Sequence, residues 1–296
     1  MGVAVAEKFP QARAVFDQAN HLLGWDLFQA CKEGPEDRLR QTDVAQPALY
    51  VAGYAAFAVL RSLDIQPEGF AGHSIGEYAA LAAAGVFSFE QGLKLVQERG
   101  RLMHEASQKR PGGMVAVLGL ASEKVSEICR QAESEGVCVP VNYNSPEQII
   151  IAGEKKAVEK VAALAPAAGA KRVIPLNVSG AFHSPLMSEA ADALRSVLAQ
   201  VQFKNAAGPV AMNADGQLQT QAAAIQDRLA RQLNSPVQWV KSMEAMKANG
   251  FTTFIECGAG RVLSGLLRRI DKQLQVFSTE TPEAIQEITA VIPAGR

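Results

Sequence analysis

Apolar residues recur along much of this chain at the three-to-four-residue spacing of amphipathic helices, with shorter apolar runs between them. Residues 2–31 predict two helices, broken near Leu23-Gly24 and ended by Lys32-Glu33-Gly34-Pro35. A third helix is expected from Gln46-Pro47-Ala48 to Leu63, with Pro47 suited to a first helical turn. It is apolar on several faces, which predicts burial. Phe70-Ala71-Gly72-His73 reads as a short strand, 75–84 as an alanine-rich helix able to pack close against a sheet, and 87–107 as a long amphipathic helix containing Arg99.

Past Pro111-Gly112-Gly113 the pattern changes. Strands are expected at 114–120, 137–141, 148–152 and 172–178, with helices at 122–134 and 155–168 and a turn at Asn144-Ser145-Pro146. The order β-α-β-β-α-β is that of a ferredoxin-like unit. We place it at 110–179, inserted into a larger α/β subdomain made of 1–109 and 180–296. The larger part resumes with a helix at 184–201, a strand at 209–212, helices over 219–234 and 236–249, and a strand at 252–256. A Gly258-Ala259-Gly260 turn, a helix and a last strand-helix pair complete it.

A formal net charge of −1 gives no whole-chain attraction to nucleic acid or an anionic membrane. The four cysteines are scattered without metal-ligand spacing, the pattern of free thiols in a reducing cytosol. The N-terminal residues lack a signal-peptide core, and the longest apolar stretch, 50–60, is too short to span a bilayer. A cytoplasmic enzyme is expected.

Gly72-His73-Ser74-Ile75-Gly76, between a predicted strand and a predicted helix, is the G-x-S-x-G nucleophile-elbow pattern in its required context. Its glycines permit the sharp turn, and the Ile75 N–H sits at a helix start, where it can donate to an oxyanion. The alternative is a glycine-rich turn with an inert serine. A serine nucleophile needs a base, and the chain has four histidines. His73 should project away from Ser74, and His21 and His104 lie in helices among charged neighbours. His183, at a strand-to-helix connection, is favoured by elimination, against a surface helix cap. Arg99 reads by sequence physics as a surface arginine making i,i+4 pairs; its functional alternative is a bidentate carboxylate clamp.

Five blocks together resemble the malonyl-CoA:acyl-carrier-protein transacylase family. They are Gly72-His73-Ser74-Ile75-Gly76-Glu77-Tyr78, Glu98-Arg99-Gly100-Arg101-Leu102-Met103, Asn142-Tyr143-Asn144-Ser145-Pro146, Ser179-Gly180-Ala181-Phe182-His183-Ser184-Pro185-Leu186-Met187, and Arg231-Gln232-Leu233 with Pro236-Val237-Gln238-Trp239. The resemblance implies an α/β fold with a hydrolase-like large subdomain, a mostly parallel central sheet and an inserted ferredoxin-like small subdomain. It implies a ping-pong transfer from malonyl-CoA to the phosphopantetheine thiol of holo acyl carrier protein, for fatty-acid or polyketide synthesis. Ser74 would be the nucleophile, His183 the base, Arg99 the partner of the malonyl carboxylate, and the Gln232 carbonyl the group that orients the imidazole. Phe182 would favour malonyl over α-methyl-branched groups. No metal or cofactor is implied, CoA thioester being a substrate, and a monomer is expected.

Two departures stand out. Ala259 replaces the proline usual in the C-terminal turn. Family members also open with a β-strand and a Gly-Gln-Gly-Ser-Gln loop, whereas this chain begins at about the end of that loop. The second oxyanion N–H is therefore expected to be missing, a loss worth about 10²–10³ in rate. The competing readings are a serine acyl hydrolase or esterase, and a non-catalytic truncated copy that binds carrier protein. An α/β-hydrolase would keep its histidine near the C-terminus, and an acyl-clearing relative would lack the arginine. His183 and Arg99 favour transfer.

Overall fold

The structure, a computed structural model, describes residues 1–178, 180–292 and 295. Ser179, expected at the end of the small subdomain and in the His183 block, lies outside the described residues.

The chain opens with three helices, Val3–Lys8, Pro10–Leu23 and Leu27–Glu33, where two were expected. The additional break is Phe9, whose extended backbone follows from the proline after it. Gly24 ends the second helix in the left-handed conformation. An unexpected short helix, Glu36–Arg40, precedes the core helix Thr42–Ser62, which starts a turn earlier than predicted and carries Pro47 inside it. By length and composition Thr42–Ser62 could cross a bilayer, which corrects the expectation of a shorter apolar stretch. Most of it is buried within the protein, against Pro10–Leu23 and Phe89–Lys109. Phe89–Lys109 is opened by Ser88, which forms a reciprocal capping box with Gln91.

Nine strands lie among the described residues: β1 (Phe70–Ala71), β2 (Gly112–Leu118), β3 (Cys138–Ser145), β4 (Gln148–Glu154), β5 (Arg172–Leu176), β6 (Val210–Ala211), β7 (Leu218–Gln219), β8 (Thr253–Glu256) and β9 (Gln275–Ser278). In the large α/β part β1 pairs with β6, and β8 with β9, both in parallel. The short β7 adds an antiparallel partner to β6 that the sequence pattern did not predict.

The β-α-β-β-α-β unit forms a four-stranded antiparallel sheet in the order β3-β4-β2-β5, the ferredoxin-like arrangement. Side chains alternate across a strand. Val115 and Val117 of β2, with Ile149 and Ile151 of β4, therefore face one core with Val125 and Ile128 of helix Ser122–Gln131 and Val161 of helix Lys155–Leu164. Met114, Ala116 and Ile150 face the other way, onto Ala181 and Leu186. The small sheet thus buttresses the loop that carries His183. Asn144 and Ser145, expected in a turn, are the end of β3, and the turn is Pro146-Glu147. A parallel bridge between Asn142 and Val237 ties β3 to the segment just past Gln232.

Candidate active site

Chain direction reverses sharply between β1 and helix Gly76–Ala83, and Ser74 sits at the reversal with φ of 52°. A non-glycine residue there stores about 1–3 kcal/mol of strain, a feature that clusters at functional sites. Gly72 permits the turn: a Cβ on it would lie 2.0 Å from the Gly76 carbonyl oxygen. Gly76 has open space where its Cβ would be, so close packing does not require the pattern's second glycine.

The turn is pinned from outside. Ser74 N–H donates to Asn213 Oδ1 at 2.7 Å, and Asn213 Nδ2 donates to the Gly72 carbonyl at 2.7 Å. Gly76 N–H and Glu77 N–H donate to the His73 and Ser74 carbonyls. Among the described residues no acceptor meets the Ile75 N–H, which leaves that donor pointing out of the helix start beside Ser74.

Ser74 Oγ lies 2.7 Å from His183 Nε2, and His183 Nδ1 lies 2.9 Å from the Gln232 carbonyl oxygen. A carbonyl can only accept, so Nδ1 carries the proton and Nε2 is free to take the one on Ser74. His183 is buried, and its backbone is also left-handed, with φ of 61°. Burial, helped by the nearby Arg99 charge, pushes its pKa down to about 3, so the imidazole is neutral at physiological pH and its Nε2 lone pair is unprotonated.

Arg99 is 1% exposed, on the inward face of Phe89–Lys109. Its Nη1 donates to Gln46 Oε1 at 2.6 Å, and its Nη2 donates to Gln232 Oε1 at 3.1 Å and to Ser74 Oγ at 3.2 Å. Its Nε has no partner, and among the described residues no carboxylate pairs with it directly. A buried cation held only by neutral groups is costly, and it is poised to bind an anion delivered next to Ser74 Oγ. The nearest buried carboxylate, Glu77, reaches Arg99 only through Gln232. Glu77 Oε2 accepts from Gln232 Nε2 at 2.6 Å and Oε1 from Asn213 N–H at 2.7 Å. Burial raises its pKa to about 7 against those hydrogen bonds and the Arg99 charge.

Serine, imidazole and an unpaired buried guanidinium around one hydroxyl can carry out acyl transfer on a substrate with a free carboxylate. The acyl transferase domain family matches residues 1–283. The chain is 42% identical over 282 residues to the malonyl CoA-acyl carrier protein transacylase of Salmonella typhimurium, covering 95% of this chain and 91% of that one. The chain belongs to the acyl transferase family. A crystal structure of an acyl carrier protein S-malonyltransferase from Vibrio cholerae superposes on this acyl transferase with a TM-score of 0.92 and 41% identity, covering 97% of this chain and 94% of that one. The malonyl-transacylase solved in complex with a type II PKS acyl-carrier protein gives 0.93 and 40%, covering 97% of this chain and 93% of that one.

The acyl transferase brings Ser74 with Ile75, Arg99, His183 and Gln232 together from four separate segments. Phe182, half-buried, packs between the large core and the small sheet. Arg99 is not the solvated, paired arginine that local sequence physics suggested. His73 faces away from Ser74, with Nε2 2.7 Å from Asn144 Oδ1, while His21 and His104 are exposed. No individual role was expected for Gln46, Glu77, Asn144 or Asn213. Gln46 carried a signal, the one strongly polar side chain between positions 44 and 60 of its helix.

Proposed function

We propose that this enzyme transfers a malonyl group from malonyl-CoA to the phosphopantetheine thiol of acyl carrier protein through a malonyl-Ser74 intermediate. The observation that carries this reading is the buried Arg99 guanidinium, without a carboxylate partner, 3.2 Å from a serine hydroxyl that is itself 2.7 Å from an imidazole nitrogen.

In the first half, His183 Nε2 takes the Ser74 proton as Oγ forms its bond to the thioester carbon. The negative charge moves to the former carbonyl oxygen, where the Ile75 N–H donates to it. The C–S bond then breaks, and CoA leaves with the proton from His183. In the second half the carrier thiol gives its proton to His183, its sulfur bonds to the acyl carbon, and Ser74 Oγ leaves and regains the proton. The Gln232 carbonyl holds the imidazole in the required tautomer throughout. This makes a Ser-His dyad with a backbone carbonyl in the place of the usual aspartate.

Arg99 would exchange its bond to Ser74 for the malonyl carboxylate, with the partnerless Nε as a second donor. Phe182, beside the base, would narrow the space next to the malonyl methylene. The thioester is already an activated acyl donor, so no resident cofactor or metal is needed. We further propose a cytoplasmic monomer that contacts neither nucleic acid nor membrane. Residues 110–179 would form the small subdomain, and 1–109 with 180–296 the large one. Initial-rate kinetics with malonyl-CoA and holo acyl carrier protein test the reading. Parallel double-reciprocal lines are expected, and intersecting lines would contradict a covalent intermediate.

A further inference from the structure

We infer that Glu77 is a positioning residue of this reaction: its buried carboxylate sets the orientation of the Gln232 side-chain amide, and so holds both Arg99 and the Ser74 turn in working register. This rests on the malonyl-transfer reading above.

An ionised carboxylate only accepts hydrogen bonds, so a neighbouring amide must turn its NH₂ toward it. Gln232 Nε2 does so, 2.6 Å from Glu77 Oε2, and the same NH₂ donates to the Ser74 carbonyl at 2.8 Å. With its nitrogen committed, the amide must present Oε1 on the opposite side, where Arg99 Nη2 donates to it at 3.1 Å. The other Glu77 oxygen accepts from Asn213 N–H, and the Asn213 side chain pins Ser74 N–H and the Gly72 carbonyl. One side chain thus governs both flanks of the nucleophile and, through Gln232, the direction of the guanidinium. Gln232 is also the residue whose backbone carbonyl meets His183 Nδ1. Nothing in the proposed chemistry requires Glu77 to touch substrate. Its carboxylate is nevertheless fully buried, where an ionisable group has no stabilising reason to be kept.

Glu77→Gln tests this. The substitution keeps shape and burial but puts an NH₂ or an oxygen at each of two places that both need an acceptor. The Gln232 amide must then turn its oxygen toward position 77, presenting its NH₂ to Arg99 and losing the Ser74 carbonyl. Malonyl loading of Ser74, followed by intact-protein mass spectrometry at short times, should slow by about 10²-fold, as expected for a mispositioned reacting group. Thermal melting at pH 8 should be no lower than that of the unsubstituted enzyme, because a buried charge has been removed. Glu77→Asp, which keeps an acceptor-only group, should recover part of the rate. Gln232→Leu, which removes the amide but keeps the backbone carbonyl, should slow loading, and adding Glu77→Gln to it should change little more. Equal loading by Glu77→Gln and the unsubstituted enzyme would overturn the inference, as would multiplicative losses in the double variant. A melting temperature that falls while the rate per folded molecule stays constant would do the same. Failure of the unsubstituted enzyme to load malonyl would instead overturn the functional reading itself.

Discussion

Arg99 Nη2 donates to the same Ser74 oxygen that faces His183 Nε2, at 3.2 Å against 2.7 Å. A substrate carboxylate brought to Ser74 would meet there, among the described residues, a buried cation without a carboxylate partner. Arg99→Ala should therefore slow malonyl loading by about 10²-fold, in line with a charged hydrogen bond worth about 1.5–3 kcal/mol. Acetyl loading from acetyl-CoA should be retained or rise. Competition between the two CoA esters, read by the mass of the adduct, checks this, and unchanged malonyl preference removes Arg99 from the substrate site.

The two glycines of the nucleophile turn should respond differently to substitution. A methyl on Gly72 would lie 2.0 Å from the Gly76 carbonyl oxygen, so Gly72→Ala must open the turn. A loss on the order of 4 kcal/mol or more is expected, the range of severe backbone clashes. A methyl on Gly76 meets nothing within 4 Å, and Gly76→Ala should change stability by no more than about 1 kcal/mol. Denaturant titration of both variants compares them directly.

How much of this was legible in the sequence depended on how local each signal was. The nucleophile turn is written in five consecutive residues, so its place between strand and helix could be read directly. The alternating runs from Met114 to Leu176 likewise carry the small sheet's topology. Arg99 was harder. It falls at the i+3 and i+4 positions after Val96 and Leu95, both buried, so helical periodicity places it on the apolar stripe. The charge argued for solvent, and the stripe decided otherwise. Glu77, Asn213 and Gln232 form hydrogen bonds across 136 to 158 positions of chain, and no spacing rule reaches that far. The extra break at Phe9 was readable from Pro10, while the two-residue β7 has too little pattern to detect.

Two of the buried titrating groups, His183 and Glu77, should pull stability in opposite directions with pH. His183 has its pKa lowered to about 3 from 6.5, so the unfolded chain binds more protons between those values. Its contribution to stability is present above pH 6.5 and is lost as pH falls toward 3. Glu77 has its pKa raised to about 7 from 4.5, so its contribution is present below pH 4.5 and is lost as pH rises through 7. In melting curves against pH, His183→Gln should flatten the acid side, and the advantage of Glu77→Gln should grow from pH 4.5 to 7. Parallel curves for all three proteins would contradict both shifts.

Phe182 precedes the base and packs between the two cores, and its proposed role is to disfavour a branched acyl group. Phe182→Ser should raise methylmalonyl relative to malonyl loading by about 10–200-fold, the range that one methyl group commands in a packed pocket. Competition between the two CoA esters measures the ratio, and an unchanged ratio would place selectivity elsewhere.

The central claim is a malonyl group carried on Ser74 between two thiols. Intact-protein mass spectrometry after incubation with malonyl-CoA tests it most directly. One malonyl adduct is expected, absent in Ser74→Ala, stable in buffer and discharged on addition of holo acyl carrier protein. An adduct lost to water at the same rate with or without the carrier, or no adduct at all, would contradict it.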